Sequence, residues 1–253
     1  VWYTDNTAPD KLMANSLRVL KEAADGTTRH NVEVVTVGWK PIPNNPFPFV
    51  QYNGPQLRSH AAIIHAIRQG CLGAPVSKTP DGVCCCEHDV LYPADYFDRH
   101  GDYLSLYPHA PVISNTDYIG LNATGWLPVV QRDEPMHQLC IRWGKMLAHL
   151  GSLRNGAITH VEPDHNGERK DWIKIRHGGP MPSVHVNHQG RGDGSARFTS
   201  HGEVCYAKHS GGAVDHGYWG HASRYWPGNM VKVESTASGS IVEPLRDPKP
   251  GGC

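Results

Sequence analysis

The chain has 253 residues, 39% of them hydrophobic, and its 24 Lys and Arg residues balance its 24 Asp and Glu residues. This length suits a single α/β domain with an elaborated tail, and the neutral total excludes a global positive field that would recruit nucleic acid or membranes. No apolar stretch approaches the ~20 residues of a membrane span, and no signal peptide is recognised. We therefore expect a cytoplasmic protein.

The seven cysteines include one consecutive triplet, Cys84, Cys85 and Cys86, and no Cys-x-x-Cys pair. Adjacent residues of a strand point to opposite faces, so the triplet cannot build a regular disulfide framework or a zinc knuckle. The sequence favours buried, reduced thiols, as in a cytosolic protein.

The first predicted elements are a strand over residues 1–4 and a helix over residues 12–24. The helix is indicated by apolar residues at near-helical spacing, by a capping box of Thr7 and Asp10, and by Gly26 as its end. The loop between strand and helix begins with Asp5 and Asn6, which are polar residues typical of turns.

A second strand and a second helix follow. Residues 32–37 are rich in valine and predict a strand, and the proline-rich loop that continues to Pro55 is too long for a plain connector. Residues 59–69 predict a helix that ends at Gly70. Strands alternating with helices in this way indicate a parallel sheet with right-handed crossovers.

An acidic stretch follows the third predicted strand, which is the short apolar run Val83–Cys86. Glu87 and Asp89 flank His88 directly at its end, and Pro93 suits the first turn of a helix. Hard oxygen ligands at the carboxyl edge of an open α/β sheet suit a divalent cation and a diphosphate. The alternative is an acidic loop that only caps the next helix.

The stretch Glu87-His88-Asp89-Val90-Leu91-Tyr92-Pro93 resembles the metal-binding acidic motif of GT-A glycosyltransferases, in a family-2-like branch from bacteria and their phages. The resemblance implies an α/β fold with a GT-A-like (Rossmann-like), mostly parallel sheet flanked by helices. It also implies sugar transfer from a nucleoside-diphosphate sugar, here expected to be a UDP-sugar, with Mn²⁺ or Mg²⁺. The order of predicted strands and helices resembles that family over residues 1–199. Only the acidic tripeptide Glu87-His88-Asp89 is a specific motif match.

Roles for residues in the first half follow from this resemblance. It implies that Asp89 binds the metal and that Glu87 contacts the ribose or a metal-bound water. The loop after the first strand, with Thr4, Asp5 and Asn6, is implied to hold the nucleotide base and ribose. Taken alone, Asp5 reads equally well as a turn residue.

After the acidic motif we predict a short helix over residues 94–100, strands over 104–107 and 111–114, and a loop over 118–126. A further helix is predicted to open at residues 131–135. Its apolar stripe consists of Met136, Leu139, Trp143, Leu147 and Leu150.

Asp133 and Glu134 stand at the predicted start of that helix. In inverting GT-A enzymes a carboxylate at the corresponding place is the general base, so the resemblance implies this role for Asp133 or Glu134, with Asp133 preferred. The other interpretation is structural, because acids are favoured at a helix N-cap and in a first turn.

Residues 182–188 alternate like a strand and lead into a Gly-rich loop. The resemblance implies that a histidine here completes the metal shell and that Arg191 and Arg197 contact the diphosphate. His185 and His188 are three positions apart and therefore lie on opposite faces of a regular strand. His188, nearer the loop, is the predicted metal ligand. An edge strand is also predicted over residues 172–175.

We divide the chain into three parts. Residues 1–200 are predicted to form the catalytic domain, residues 201–234 a Gly/His/aromatic segment that packs on the site or forms its lid, and residues 235–253 a flexible tail. No zinc-finger spacing occurs in the second part, whose histidines are His201, His209, His216 and His221.

The predicted function is metal-dependent, inverting transfer of a sugar to a glycan or another hydroxylated acceptor. One alternative acceptor is a hydroxymethylated pyrimidine of phage DNA, which needs a basic groove or an extruded base; the basic residues between positions 140 and 176 permit such a groove. A second alternative is a catalytically silent relative that still binds nucleotides.

Overall fold

The computed structural model of this protein describes residues 1–6, 8–54, 60–74, 79–115, 117–131, 138–145, 173–175, 182–186, 212–227, 230–236 and 239–244. The described part is a mixed α/β structure that contains a parallel sheet, which confirms the predicted α/β class. Among the described helices, none combines the length and the hydropathy that a membrane crossing requires.

The elements of the described part are named in chain order. The helices are α1 (Asp10–Asp25), α2 (His60–Gly73) and α3 (Tyr96–Leu106). The strands are β1 (Trp2–Tyr3), β2 (Thr36–Gly38), β3 (Phe49–Gln51), β4 (Gly82–Cys84), β5 (Cys86–Glu87), β6 (Val90–Leu91), β7 (Val112–Asn115), β8 (Asp117–Asn122), β9 (Gly125–Gln131), β10 (Leu139–Arg142), β11 (Ile173–Ile175), β12 (Ser183–Val186), β13 (Asp215–His216), β14 (Gly220–His221), β15 (Val231–Thr236) and β16 (Gly239–Pro244).

The first sheet has the order β3-β2-β1-β5, and all its neighbours pair in parallel. Trp2 and Tyr3 are consecutive in β1 and therefore point to opposite faces. Trp2 joins the cluster that contains Leu12 of α1, whereas Tyr3 joins the cluster that contains Ile67 of α2. The two helices thus cover the two faces of the sheet, as parallel sheets require.

Two further sheets have the orders β11-β7-β10-β4 and β6-β12-β8-β9. The cysteine triplet, predicted as one buried strand, is divided between β4 and β5, which belong to different sheets. Cys85 lies between the two strands, and its N–H donates to the Leu139 carbonyl at 2.8 Å. The N–H of Cys86 donates to the Val1 carbonyl at 2.8 Å. The triplet therefore joins two sheets.

The predicted helix over residues 131–150 is wrong at Leu139–Arg142, which form strand β10, whereas residues 143–145 are helical. This strand lies between β7 and β4, pairing antiparallel with both. Leu139 packs into one hydrophobic cluster and Cys140 into another. A central strand buried on both faces shows a continuous apolar run, which spacing alone does not distinguish from a helix.

Other boundaries also differ from the predictions. The expected strand over 104–107 is mostly the end of α3, and the expected loop over 118–126 is the hairpin β8–β9. Helix α2 continues past Gly70 to Gly73. The second strand begins only at Thr36, because Val32 and Val34 pack on the core without a strand partner among the described elements.

Helix α1 has Pro9 at its N-cap position and no side-chain hydrogen bond there. Thr7, the first residue of the predicted capping box, lies outside the described residues. The predicted end of α1 is confirmed: Gly26 donates its N–H to the Glu22 carbonyl at 2.9 Å. Strands β11, at a sheet edge, and β12 confirm the strand predictions for those regions.

The described C-terminal residues pack on β9 and form a hairpin. The indole of Trp126 donates to the Gly220 carbonyl at 2.8 Å, and Trp126 bridges Ala213. The indole of Trp219 donates to the Pro182 carbonyl at 3.0 Å. The antiparallel hairpin β15–β16 extends beyond residue 235, where we predict a tail from the sequence.

Candidate functional site

The carboxyl ends of β1, β2 and β5 form the edge on which the candidate site is built. Because the three strands are parallel and adjacent, the residues that follow them emerge side by side. Asp5 and Asn6 follow β1, Trp39 follows β2, and His88 and Asp89 follow β5. Two of the sequence-predicted groups, the first loop and the acidic motif, are therefore brought together.

Asn6 joins the first loop, which follows β1, to the loop that follows β2. Its Oδ1 accepts hydrogen bonds from the N–H of Trp39 at 2.8 Å and of Lys40 at 3.2 Å, and its Nδ2 donates to the Lys40 carbonyl at 3.2 Å. Its backbone has φ = 56°, in the left-handed region that asparagine tolerates. A Cβ at Gly38 would lie 2.9 Å from Asn6 Oδ1, so this close approach needs glycine.

Thr4 is fully buried, and its hydroxyl is used inside the protein. The hydroxyl accepts from the N–H of Asn6 at 3.0 Å and donates to the sulfur of Met13 at 3.6 Å. Thr4 therefore stabilises the first loop from inside the protein. The Asp5 side chain is 23% exposed and lies nearer the open edge.

Three carboxylates lie close enough to influence one another. The pKa of Glu87 is raised to about 8, mainly by burial and then by the negative charge of Asp89, with a smaller contribution from Asp5. His185 and Tyr3 act in the opposite direction. The backbone N–H of Glu87 donates to the Tyr92 hydroxyl at 2.8 Å. This concentration of negative charge would be relieved by a bound cation.

His185 is the histidine that the structure places against the acidic motif. Its Nε2 lies 3.3 Å from Asp89 Oδ2. Strand β12 pairs with β6 so that His185 stands opposite Val90, and the N–H of Val186 donates to the Asp89 carbonyl at 2.7 Å. The ring of Tyr118 packs edge-on against His185, with centroids 5.9 Å apart.

His88 also lies beside the first loop. Its Nε2 lies 3.9 Å from Asp5 Oδ1, and the residue is buried. His88 and Asp89 lie in the turn between β5 and β6, where the alternation of a regular strand no longer holds. The turn rotates the side chain of His88 towards the first loop.

The remaining predicted site residues lie outside the described residues. They are the base candidates Asp133 and Glu134, the metal candidate His188, and the diphosphate candidates Arg191 and Arg197. Their roles stay predictions.

Asp89 and His185 supply two side chains of the kinds that bind Mn²⁺, a hard carboxylate oxygen and an imidazole nitrogen. Within the described part of the chain, no group of three or more His, Cys, Asp and Glu side chains is arranged to hold a metal ion. A cation at the described pair would therefore need further ligands, such as diphosphate oxygens of a substrate.

Tyr3 is a site residue that sequence reasoning missed. It stands opposite Glu87 in the parallel register of β1 and β5, and its side chain is close enough to lower the pKa of the Glu87 carboxyl. The sequence shows only an apolar strand residue, because the contact depends on which strands are neighbours. His185, by contrast, lies in a strand already singled out for its histidines.

No protein-family model matches this chain, and a comparison with curated proteins finds no match either.

Proposed function

We propose that the protein is a metal-dependent, inverting glycosyltransferase with a GT-A-like arrangement of its sheet. It would move a sugar from a nucleoside-diphosphate sugar, with a UDP-sugar as the first donor to test, to an acceptor hydroxyl. The observation that supports this best is the group of three carboxylates at the carboxyl edge of a parallel sheet, with His185 3.3 Å from Asp89.

Asp89 and His185 would hold Mn²⁺ or Mg²⁺ in this proposal. A bound divalent cation would offset the negative charge that develops on the departing nucleoside diphosphate. The imidazole favours Mn²⁺ over Mg²⁺, because it is a softer ligand than carboxylate or water. Glu87, whose backbone N–H donates to the Tyr92 hydroxyl at 2.8 Å, would contact a ribose hydroxyl or a metal-bound water.

The first loop would form the nucleoside side of the site. Asn6 uses both ends of its amide to hold the backbone at Trp39 and Lys40, so its part is to keep the two loops in register. Asp5 is then the residue of this loop best placed to accept hydrogen bonds from a ribose or a base.

The acceptor would be deprotonated by Asp133 or Glu134, as the resemblance in the acidic motif implies. The carboxylate would take the hydroxyl proton while the oxygen attacks the anomeric carbon opposite the leaving group, which inverts its configuration. A general base contributes ~10²–10⁴-fold, so its removal should lower kcat with little effect on donor binding.

The experiment is a nucleotide-release assay with a panel of nucleotide sugars and Mn²⁺. We expect metal-dependent release of the diphosphate, lowered at least ~100-fold in Asp89→Asn. Asp25→Asn is the matched control, because Asp25 is an exposed carboxylate at the end of α1 that pairs with Lys21. Full metal-dependent turnover by a Glu87→Ala/Asp89→Ala variant would refute the assignment.

The DNA-acceptor alternative gains no support from Arg142, a described member of the basic stretch. Its guanidinium donates to the carbonyls of Leu104, Tyr107 and Ala110 at 2.9–3.2 Å. If the protein shifts the electrophoretic mobility of hydroxymethylated DNA, and the shift weakens as salt is added, DNA would be favoured as the acceptor. Binding of nucleotide without turnover on any acceptor would favour the silent relative.

A further inference from the structure

Cys84 and Cys140 face each other across strands β4 and β10. They are directly opposite in the antiparallel register. The N–H of Cys85 donates to the Leu139 carbonyl at 2.8 Å, and the N–H of Trp143 donates to the Asp81 carbonyl at 3.0 Å. Because hydrogen-bonded pairs alternate with non-hydrogen-bonded pairs, Cys84 and Cys140 form a non-hydrogen-bonded pair.

The geometry of such a pair matches that of a disulfide. The Cα atoms of a non-hydrogen-bonded pair are about 4.5 Å apart, which falls inside the range of about 4.4–6.8 Å spanned by disulfides. Side chains that are directly opposite on neighbouring strands lie on the same face of the sheet, so the two thiols are on the same side. Little backbone movement is therefore needed to join them.

The surroundings allow a reagent to reach one of the two sulfurs. Cys140 is buried beside Leu104 and Ile113, whereas Cys84 is only partly buried. Both residues line an open cavity of about 730 Å³. Cys84 is thus the less buried of the two residues, and we assign the first exchange to it.

We propose that Cys84 and Cys140 are a modification site, at which a low-molecular-weight disulfide such as oxidised glutathione converts the two thiols into a cross-strand disulfide. This inference does not depend on the proposed glycosyltransferase function.

The reaction consists of two thiol–disulfide exchanges. The Cys84 thiolate attacks one sulfur of oxidised glutathione, and one glutathione thiolate leaves. The Cys140 thiolate then attacks the Cys84 sulfur of the mixed disulfide, and the second glutathione leaves. The two cysteines lose two electrons and two protons, and the reagent is reduced to two glutathione thiols.

The rate of this reaction should be low at neutral pH. The pKa of Cys84 is raised well above its ordinary value, first by the hydrogen bond with Cys140 and then by burial. Since the thiolate is the attacking species, we expect the disulfide to form faster as the pH increases from 7 towards 9. Burial should also slow the reduction of the disulfide once it has formed.

The neighbouring cysteines provide controls for selectivity. Cys85 packs in the cluster that contains Cys71, on the side of the sheets away from Cys140, and Cys86 packs in a third cluster. A link from Cys71 to Cys85 is therefore the competing product, and a link from Cys140 to Cys85 or Cys86 is not expected.

The test treats the full chain with oxidised glutathione at pH 8.5, blocks the remaining thiols and maps the peptides by mass spectrometry. We expect one intramolecular link, placed on Cys84 and Cys140 by fragment ions. It should be lost in Cys84→Ser and retained in Cys85→Ser and Cys71→Ser. The melting temperature should rise by roughly 5–10 °C on oxidation, because the link constrains the unfolded chain.

Several results would overturn the inference. They are a link that persists in Cys84→Ser, a Cys71–Cys85 product, or mixed glutathione disulfides without an internal link. The fragment ions of the wild-type product decide the pairing even if a serine variant does not fold.

Discussion

His185 Nε2 lies 3.3 Å from Asp89 Oδ2, although the two residues belong to distant parts of the chain. Strand β12 returns beside β6 and places the histidine over the acidic turn. The contact joins a motif predicted to bind a metal with a strand predicted to supply a histidine. The predictions below test whether this pair and the residues around it act as proposed.

Removing the imidazole of His185 should weaken metal binding. We expect His185→Ala to lower the affinity for Mn²⁺, in the presence of UDP, by at least ~10-fold, because the ion loses a nitrogen ligand. Isothermal titration calorimetry measures the affinity. His109→Ala, in an exposed position, serves as the control, and equal affinities in the two variants would contradict the role of His185.

Glu87 should make stability depend on pH. Its pKa is raised from 4.5 to about 8, first by burial, so the folded state holds a proton that the unfolded state loses. The contribution of this proton to the free energy of unfolding is complete below pH 4.5 and is lost as the pH rises through about 8. In a chelator, Glu87→Gln should therefore melt at a higher temperature than the wild type at pH 9, and the difference should shrink towards pH 5.

Thermal melts between pH 5 and pH 9 test this prediction. Glu22→Gln is the control, because Glu22 is an exposed carboxylate on α1 that pairs with Arg18. If the melting curves of Glu87→Gln and wild type stay parallel over this range, Glu87 does not titrate as proposed.

Gly38→Ala should destabilise the protein and distort the nucleoside side of the site. The new methyl group would lie 2.9 Å from Asn6 Oδ1 and 3.0 Å from Thr4 Cγ2. The hydrogen bonds by which Asn6 joins the loops after β1 and β2 must therefore shift. We expect a loss of about 1–3 kcal/mol in the free energy of unfolding, measured by urea denaturation, with weaker UDP binding. Gly217→Ala meets no atom within 4 Å and should change neither quantity.

Asp98 should stabilise the connection between α1 and α3. Its buried carboxylate accepts from the N–H groups of Thr28 at 3.1 Å and Arg29 at 3.0 Å. Burial opposes ionisation, but these hydrogen bonds outweigh it and lower the pKa of Asp98. Asp98→Ala should cost about 2–3 kcal/mol at pH 7, because it leaves two backbone donors without their acceptor.

Denaturant unfolding at several pH values measures this effect. Because the pKa of Asp98 is lowered in the folded state, its contribution is present above its ordinary value of 3.8 and declines as the pH falls below it. Asp102→Asn is the control: Asp102 is half-exposed, and its pair with Arg29 should contribute less than about 1 kcal/mol. An equal loss in both variants would contradict the prediction.

The local pattern of the sequence was enough to predict α1, α2 and the turn signal of Gly26, because amphipathic spacing and terminating residues are local properties. The acidic motif could also be located, since a short apolar strand followed by two carboxylates is visible in one stretch. The same local pattern failed at β10, where Leu139 of the predicted apolar stripe belongs to a strand that lies between two others.

The sequence by itself determined the α/β class and the identity of the acidic residues at the end of β5. The tertiary structure alone decided that His185 reaches Asp89, that Tyr3 stands opposite Glu87, that His88 lies near Asp5 and that Cys84 stands opposite Cys140. Each of these contacts depends on which strands are neighbours and in which register. Strand pairing joins residues far apart in the chain, and the hydrophobic burial that selects it is a property of the whole fold.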